Sequence, residues 1–270
     1  MKFKSKVLII AGSDSSGGAG IQADIKTVTA LGSYAMTAVT AVTSQNTQGI
    51  KGISSIATKD VEEQIKMVLD DIGANAVKIG MLHNTSIIKC VYKMLKKNKI
   101  KNIVLDPVMI AKGGSRLINS NSTKYLKKLL LPLCSIITPN IPEAEVLTGY
   151  SISNKEDMIK AAKKIISMGA KNVLLKGGHL KNKMIFDILL SKKEIKVFPK
   201  RKINTKNTHG TGCTLSSAVA TYLSQKKNIY NSCKFALKYV DRAIVTAPGY
   251  GKGFGPLNHL VSFNLKNINV

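Results

Sequence analysis

The sequence lacks any apolar run of the roughly 18 residues that a helix needs to cross a bilayer. Its basic first six residues are followed by a short apolar run, residues 7–11, which leads straight into a glycine-rich loop. We interpret that run as a first strand and not as a signal peptide. We therefore expect a soluble, cytoplasmic protein with no membrane partner.

Cysteine is also scarce, and its spacing excludes a disulfide framework. The four cysteines, at positions 90, 134, 213 and 233, include no C-x-x-C pair. This pattern is typical of a reducing compartment. Cys90 and Cys134 lie in apolar runs, where a thiol behaves as an inert core residue.

Arginine is nearly absent although the chain is strongly basic. The formal net charge is +26, but only three of the 41 basic residues are arginines: Arg116, Arg201 and Arg242. Nucleic-acid readers use the guanidinium fork for bidentate contacts, and here lysines are spread over nearly every predicted helix without interleaved aromatics. We expect no nucleic-acid partner, while the positive field steers anionic substrates. A basic nucleic-acid-binding protein is the remote alternative.

Two common nucleotide-binding loops are missing as well. The first strand runs into a loop with four glycines, residues 12–20, but the glycines have no G-x-G-x-x-G register and no lysine follows them. The loop is therefore neither a dinucleotide fingerprint nor a Walker A motif. A helix follows it, in which Ile21, Ile25, Val28 and Leu31 have the spacing of a buried stripe and Asp24 lies beside them.

Strand and helix patterns alternate along the whole chain. Strands are predicted at residues 7–11, 35–42, 76–79, 102–105, 135–138 and 172–175, and helices at 60–71, 86–96, 123–131, 155–168, 214–223 and 230–247. Asp60 and Glu63 have the spacing of a helix-capping box. Residues 184–190 and 194–198 are predicted to form an antiparallel edge hairpin. The pattern predicts a single domain, residues 1–270, with a mostly parallel sheet between helices.

Polar residues recur where predicted strands end. Gln45, Asp106, Asn140 and Lys176 each follow a strand. Ligands of open parallel sheets gather at the carboxyl ends of the strands, so we expect the site along that edge.

The segment 204–214 is the strongest candidate for a binding loop. Its glycines, Gly210 and Gly212, precede an amphipathic run and should lie at a helix N-terminus. There the unpaired N–H groups and the helix dipole bind anions, and a phosphate can approach a backbone that carries no Cβ. Taken by itself, this motif also fits an ordinary glycine-rich turn before a helix.

Seven segments together carry a resemblance to a known family. They are residues 11–24 (AGSDSSGGAGIQAD), 45–47 (QNT), 78–81 (KIGM), 105–108 (LDPV), 138–144 (TPNIPEA), 176–179 (KGGH) and 207–214 (NTHGTGCT). In this order the chain resembles the ribokinase-like superfamily, and within it the hydroxymethylpyrimidine and phosphomethylpyrimidine kinases of thiamine biosynthesis. The resemblance implies a three-layer α/β/α fold.

The resemblance also implies an activity. Such enzymes transfer the γ-phosphoryl group of ATP to 4-amino-5-hydroxymethyl-2-methylpyrimidine and then to the resulting monophosphate. It implies Mg²⁺ as a cofactor and a homodimer, and it leaves open a monovalent cation. A pyridoxal or pyridoxine kinase of the same fold, as sole or second activity, is the near alternative; Gln45 and Cys213 favour the pyrimidine enzyme.

Residue roles follow from the matching motifs. The implied catalytic residues are Gly210, Thr211, Gly212, Cys213 and Lys176; the substrate-binding residues are Gly12, Asp24, Gln45, Met81 and Val108; the nucleotide-binding residues are Asn140, Lys176 and Thr211; and the residues near Mg²⁺, through water, are Asp106 and Glu143. Cys213 stands where most ribokinase-like enzymes carry an aspartate base.

Three of these assignments lead to further expectations. The helix terminus should lower the pKa of the Cys213 thiol, so that a thiolate can orient or deprotonate the alcohol. Asn140 and Glu143 also have the spacing of a capping box, a role compatible with ligand binding. Residues 112–115 are predicted to close over the substrate as a flap. We assign no catalysis to any histidine.

Overall fold

One mixed sheet forms the centre of the molecule. The computed structural model describes residues 3–109, 117–180, 184–192 and 194–262. Within these residues nine strands pair in the order β3-β2-β1-β4-β5-β6-β7-β8-β9. The six strands from β2 to β7 in this order run parallel, while β3 at one edge and β8 and β9 at the other are antiparallel to their neighbours. The predicted parallel sheet with an edge hairpin is confirmed.

Apolar runs in the sequence form the strands. The strands are β1 (Lys6–Asp14), β2 (Tyr34–Asn46), β3 (Gly49–Ser55), β4 (Ala76–Ile79), β5 (Ile103–Leu105), β6 (Ile136–Ile137), β7 (Asn172–Leu175), β8 (Met184–Ser191) and β9 (Ile195–Arg201). β4 and β5 are buried at every position, as expected for strands covered on both faces.

The helices connect these strands. They are α1 (Gly20–Ala30), α2 (Thr58–Asp71), α3 (Thr85–Lys97), α4 (Ser120–Tyr125) continued by a π-helical turn (Leu126–Leu130), α5 (Ile141–Thr148), α6 (Lys155–Ser167), α7 (Thr211–Ser224) and α8 (Ile229–Val245), followed by a short 3₁₀ turn (His259–Ser262). Asparagine side chains cap five of them, at Asn84, Asn119, Asn140, Asn154 and Asn228. α7 begins without a side-chain cap, so its first N–H groups remain available to a ligand.

Helices cover the sheet on both faces. One apolar cluster joins the sheet to α2, α3, α5 and α6, and the other joins it to α1, α7 and α8. The predicted three-layer α/β/α architecture is therefore confirmed. None of the helices in the described residues combines the length and the apolar character that a bilayer crossing demands.

Several local predictions are wrong. β1 continues to Asp14, so the glycine-rich loop is shorter than expected, and β3 was not predicted at all. Ile25 is 37% exposed and does not belong to the buried stripe of α1. α2 begins before Asp60 and has no side-chain cap, so the capping box with Glu63 is absent. The whole of the predicted flap, residues 112–115, lies outside the described residues.

The segment after α8 returns to the sheet edge that carries the site. Thr47, in the turn between β2 and β3, accepts hydrogen bonds from the backbone N–H groups of Gly253 and Phe254, at 3.2 and 2.8 Å. Next to this contact, the Gly255 carbonyl accepts the His209 N–H at 3.1 Å. Residues 253–255 therefore join the β2–β3 turn to the loop before α7.

Candidate active site

The loop before α7 has the geometry of an anion-binding site. Gly210 is the N-terminal cap of α7 and has a left-handed φ of 79°. A Cβ at this position would lie 1.8 Å from the carbonyl oxygen of Gly18, so only glycine fits. The helix begins at Thr211 and not at Thr214 as predicted. The N–H groups of its first turn have no partner within the helix, as an anion site requires.

A lysine that follows β7 and a carboxylate that follows β5 lie beneath this loop. Lys176 Nζ is 3.4 Å from Asp106 Oδ1, and Ser216 on α7 donates to Asp106 Oδ2 at 3.2 Å. A Cβ at Gly212 would lie 3.3 Å from Lys176 Nζ. By itself burial lowers the pKa of Lys176, but Asp106 and Glu143 raise it, so the ammonium stays charged beside the loop.

Asn140 and Glu143 form a capping box at the start of α5. The Asn140 Oδ1 accepts the Glu143 N–H at 2.9 Å, and Glu143 Oε2 accepts the Asn140 N–H at 2.8 Å. Burial raises the pKa of Glu143, while Lys176 opposes that rise. Both residues also line the cavity described below, so the cap and a ligand contact are compatible in one structure.

A second lysine, for which no role was predicted, lies within the sheet. Lys78 on β4 is fully buried, and its Nζ donates to Asp24 Oδ2 at 2.7 Å. Ser217 on α7 donates to the other oxygen, Asp24 Oδ1, also at 2.7 Å. By itself burial lowers the pKa of Lys78, but the Asp24 carboxylate raises it above its ordinary range. The sequence feature that could have indicated this role is the position of a lysine in the middle of an apolar strand.

This contact corrects the prediction for Asp24. Its side chain is inaccessible to solvent, and both carboxylate oxygens are engaged by Lys78 and Ser217. Among the described residues that line the cavity, Lys78 is present and Asp24 is not. Asp24 therefore holds Lys78 from behind the cavity wall.

The expectation of a lowered thiol pKa is wrong for the ligand-free protein. Burial raises the pKa of Cys213 to about 12, and the carboxylates of Asp24 and Asp106 add to the rise. Lys78 and the N–H of Gly20 act in the opposite direction and are outweighed. Desolvation of the thiolate therefore exceeds the stabilisation by the helix terminus.

A buried contact between a carboxylate and a histidine connects the glycine-rich loop to the loop before α7. Asp14 Oδ2 lies 2.8 Å from His209 Nε2, and the same carboxylate accepts the N–H groups of Ser16 and Ala19. Burial by itself raises the pKa of Asp14, but these hydrogen bonds, His209 first, lower it to about 2. His209 thus links the two loops through this carboxylate.

One cavity of about 700 Å³ brings the predicted site together. Its walls include, of the predicted residues, Gly12, Gln45, Met81, Asp106, Val108, Asn140, Glu143, Lys176, Gly210, Thr211, Gly212 and Cys213. The loop before α7 therefore shares this cavity with Gln45 and Lys176, at the sheet edge where the site was expected.

The cavity has an apolar end at the β2–β3 hairpin. Met81 packs with Val108, Ile50 and Leu117 there, and Gln45 supplies an amide. Ile50 and Leu117 were not predicted, because β3 was missed and Leu117 follows the predicted flap. Gly12 lies against Met81, and a Cβ at this position would be at contact distance, 3.4 Å, from the Met81 methyl carbon.

The opposite end lies between the β8–β9 hairpin and α8. Its apolar wall consists of Ile203, Leu237, Val240 and Ile244. Lys200 on β9 closes this wall by pairing with Asp187 at 3.1 Å and Asp241 at 2.9 Å. Asp187 Oδ1 also accepts the Gly177 N–H at 2.9 Å, which fixes the backbone next to Lys176.

The described acidic residues of this cavity do not form a metal site with three or more side-chain ligands. In the part of the chain that the structure describes, no group of three or more histidine, cysteine or acidic side chains has metal-binding geometry. Asp106 and Glu143 nevertheless provide two carboxylates on one wall. Carboxylate oxygens are the ligands that Mg²⁺ prefers, and an ion held by only two of them keeps several waters.

Comparison with known proteins gives a consistent result. The family model described as phosphomethylpyrimidine kinase matches residues 14–258. A hydroxymethylpyrimidine/phosphomethylpyrimidine kinase of Bacillus subtilis is 43% identical over 265 residues, which cover 98% of this chain and 97% of that protein.

Two further proteins extend the comparison. A thiamine biosynthesis bifunctional protein ThiED of Geobacter sulfurreducens is 46% identical over 96% of this chain, and the chain spans only 53% of that longer relative. The structure of a Staphylococcus aureus pyridoxal kinase in complex with AMP-PCP and pyridoxal superposes with a TM-score of 0.89 at 32% identity, covering 97% of this chain and 95% of that chain.

Proposed function

Because the chain belongs to the phosphomethylpyrimidine kinase family and is a hydroxymethylpyrimidine/phosphomethylpyrimidine kinase of thiamine biosynthesis, we propose how its cavity performs the two phosphoryl transfers. The γ-phosphoryl group of ATP passes first to the hydroxymethyl group of 4-amino-5-hydroxymethyl-2-methylpyrimidine. It passes next to the resulting monophosphate. The observation that best supports this proposal is one cavity in which an anion-binding loop lies between two apolar ends.

The pyrimidine occupies the end at the β2–β3 hairpin. The Gln45 amide offers a donor and an acceptor, which match the ring nitrogen and the exocyclic amine of the substrate. Met81 and Val108 pack on the ring faces, and Ile50 and Leu117 complete an apolar enclosure. In this position the hydroxymethyl group points at the loop before α7.

ATP occupies the remainder of the cavity. The adenine lies on the apolar wall of Ile203, Leu237, Val240 and Ile244, where a flat heterocycle replaces water. The phosphates extend along Asn140 and Lys176 toward Thr211. A phosphoryl group in transfer spreads negative charge over its equatorial oxygens, so fixed donors around it lower the barrier.

Each residue of the transfer site has a distinct electrostatic task. The N–H groups of Gly212 and Cys213 receive the moving phosphoryl group, and Lys176 neutralises charge as a point cation. Asp106 holds Lys176 in place from below. Cys213 either accepts the proton of the alcohol or orients the alcohol for transfer. The buried Lys78 ammonium stabilises the negative charge that forms when the proton leaves.

Asp106 and Glu143 would hold Mg²⁺ through water on the wall beside Asn140. The ion would neutralise part of the phosphate charge and would fix the orientation of the phosphates. A monovalent cation stays an open requirement.

We further propose that residues 1–270 form one domain and that two copies associate. The single sheet that runs through the described residues supports the first proposal. The edge strand β3, whose residues are exposed or half-buried, supports the second, because an uncovered edge offers its backbone to another chain. Light scattering on the purified protein gives the mass that tests the dimer.

A coupled assay of ADP release tests the function. The pyrimidine alcohol, its monophosphate, pyridoxal and pyridoxine are compared at equal concentrations with ATP and Mg²⁺. We expect turnover of both pyrimidines, and Lys176→Met should abolish it while Lys163→Met, on an exposed face of α6, should not. Turnover of pyridoxal without either pyrimidine would support the alternative kinase instead. Tight duplex-DNA binding at physiological salt without kinase turnover would contradict both.

A further inference from the structure

The amide of Gln45 lies between two hydrogen-bonding neighbours. In the structure the amide oxygen lies 3.1 Å from Thr43 Oγ1, and the amide nitrogen lies 3.3 Å from His209 Nε2. A half-turn about the Cγ–Cδ bond exchanges the amide oxygen and nitrogen, so the neighbours decide which end is which. This choice determines which edge of a substrate the amide can bind.

His209 requires the oxygen on its side. Asp14 is ionised, since its pKa is lowered to about 2, and a carboxylate can only accept hydrogen bonds. At 2.8 Å from Asp14 Oδ2, the His209 Nε2 atom must therefore carry a proton. A protonated ring nitrogen has no lone pair for an amide N–H. Only the Gln45 oxygen makes an attractive contact there.

Thr43 independently requires the nitrogen on its side. Its hydroxyl has a single hydrogen, and the Ser13 carbonyl oxygen lies 2.9 Å away. A carbonyl cannot donate, so the hydroxyl hydrogen goes to Ser13 and a lone pair faces Gln45. The amide end beside Thr43 is then the NH₂ group. Both neighbours therefore favour the same orientation, in which the amide is turned by a half-turn from the placement given above.

We propose that Asp14, His209 and Thr43 lock the Gln45 amide with its oxygen toward the anion-binding loop, so that the site selects alcohols with a hydrogen-bond donor beside the reacting hydroxymethyl group. This inference rests on the proposed function and deepens it. His209 directly precedes Gly210, so the oxygen end of the amide is the end nearer the phosphoryl transfer. His209 and Thr43 act through Gln45 and are positioning residues.

The substrate chemistry matches this orientation. In the pyrimidine the amine is on the ring carbon next to the one that bears the hydroxymethyl group, and the ring nitrogen is one atom further. The amine therefore meets the Gln45 oxygen, and the ring nitrogen meets the Gln45 N–H. Pyridoxal presents an aldehyde oxygen at the carbon next to its hydroxymethyl group. Two acceptors would then face each other in a partly buried site, which is unfavourable.

A matched pair of substitutions tests the lock. His209→Gln keeps an N–H donor toward Asp14 and Gln45, whereas His209→Met has similar length and no donor. Dissociation constants of the pyrimidine alcohol and of pyridoxal are measured by calorimetry with a non-hydrolysable ATP analogue. We expect the preference for the pyrimidine to fall about tenfold or more in His209→Met and to stay within about threefold of the native value in His209→Gln.

A merely structural histidine would weaken both ligands equally and leave their ratio unchanged. An unchanged ratio in folded His209→Met, or equal falls in the two variants, would overturn the proposal. If His209→Met does not fold, Thr43→Val carries the test, with an expected fall of about threefold or more, and an unchanged ratio there also overturns it. The native protein is assayed first: absence of pyrimidine turnover contradicts the function, while native turnover with unchanged selectivity in the variants contradicts only the lock.

Discussion

Substitution of Cys213 by serine separates the two phosphoryl transfers. In the first transfer the acceptor is an alcohol, whose proton has to leave. In the second the acceptor is a phosphate that is already anionic and needs no base. If Cys213 takes the alcohol proton, Cys213→Ser should harm the first transfer far more than the second, because a serine hydroxyl is a much weaker proton acceptor than a thiolate.

The structure sets the size of the effect. A rise in the pKa of Cys213 from its ordinary value of 9.0 to about 12 makes the thiolate about 4 kcal/mol harder to form. At pH 8 about one molecule in ten thousand then carries the thiolate. A base of this kind is active in proportion to its deprotonated fraction. The kcat/KM of the first transfer should therefore rise nearly tenfold per pH unit between pH 6 and 9.

The assay follows each transfer separately at saturating ATP. Cys213→Ser should lower kcat/KM for the alcohol by about 10²-fold to 10⁴-fold, as expected for loss of general-base catalysis, and for the monophosphate by less than about tenfold. Cys90→Ser, a buried thiol on α3 and outside the cavity lining, serves as the control. Equal losses in the two transfers, or a first transfer whose rate is flat with pH, would refute a base role and leave Cys213 only the task of orienting the alcohol.

Three further predictions concern stability. Gly210→Ala should lower the melting temperature far more than Gly249→Ala. Both positions have a positive φ, but only at Gly210 would a Cβ clash with a backbone oxygen. Similar shifts in the two variants would contradict the close approach of that oxygen to Gly210. The depressed pKa of Asp14 should contribute about 2 kcal/mol of unfolding free energy above pH 4, lost as the pH falls toward 2, so the advantage over Asp14→Asn in urea titrations should shrink over that interval. Lys78→Met should cost about 3–5 kcal/mol by leaving Asp24 unpaired, and a second change, Asp24→Asn, should restore most of it; no restoration would mean that the two side chains are not coupled.

The position of the site could be predicted from sequence because it depends on strand ends. Gln45, Asp106, Asn140 and Lys176 follow separate strands, and the carboxyl ends of parallel strands meet at one sheet edge. Gly210 likewise indicated a helix N-terminus, since a glycine before an amphipathic run has few other uses. These inferences need only the chain order and the strand direction.

The energetics of the site could not be predicted in the same way. Whether Cys213 is a weak or a strong acid depends on the balance between desolvation and nearby charges, and that balance requires the surrounding atoms. The buried position of Asp24 could not be predicted for a related reason. Helical spacing placed it beside the buried stripe, but only the packing of α1 against β4 showed that it faces Lys78.

Contacts between segments that are far apart in the chain also could not be predicted from the sequence. The Asp14–His209 pair joins residues 195 positions apart, and no local pattern relates them. β3 was missed because Gly49 and Gly52 weaken its strand pattern, so the contribution of Ile50 to the apolar end was missed with it.

The hydrogen bond between Thr47 and Gly253 spans 206 positions of the chain. Closing so wide a loop costs more conformational entropy than closing a local one, and Gly253 is synthesised after all nine strands of the sheet. A nascent chain can thus assemble most of the sheet while its catalytic pocket is still open on one side. We therefore expect the ability to bind both substrates to arise only after residues 253–255 have reached the β2–β3 turn.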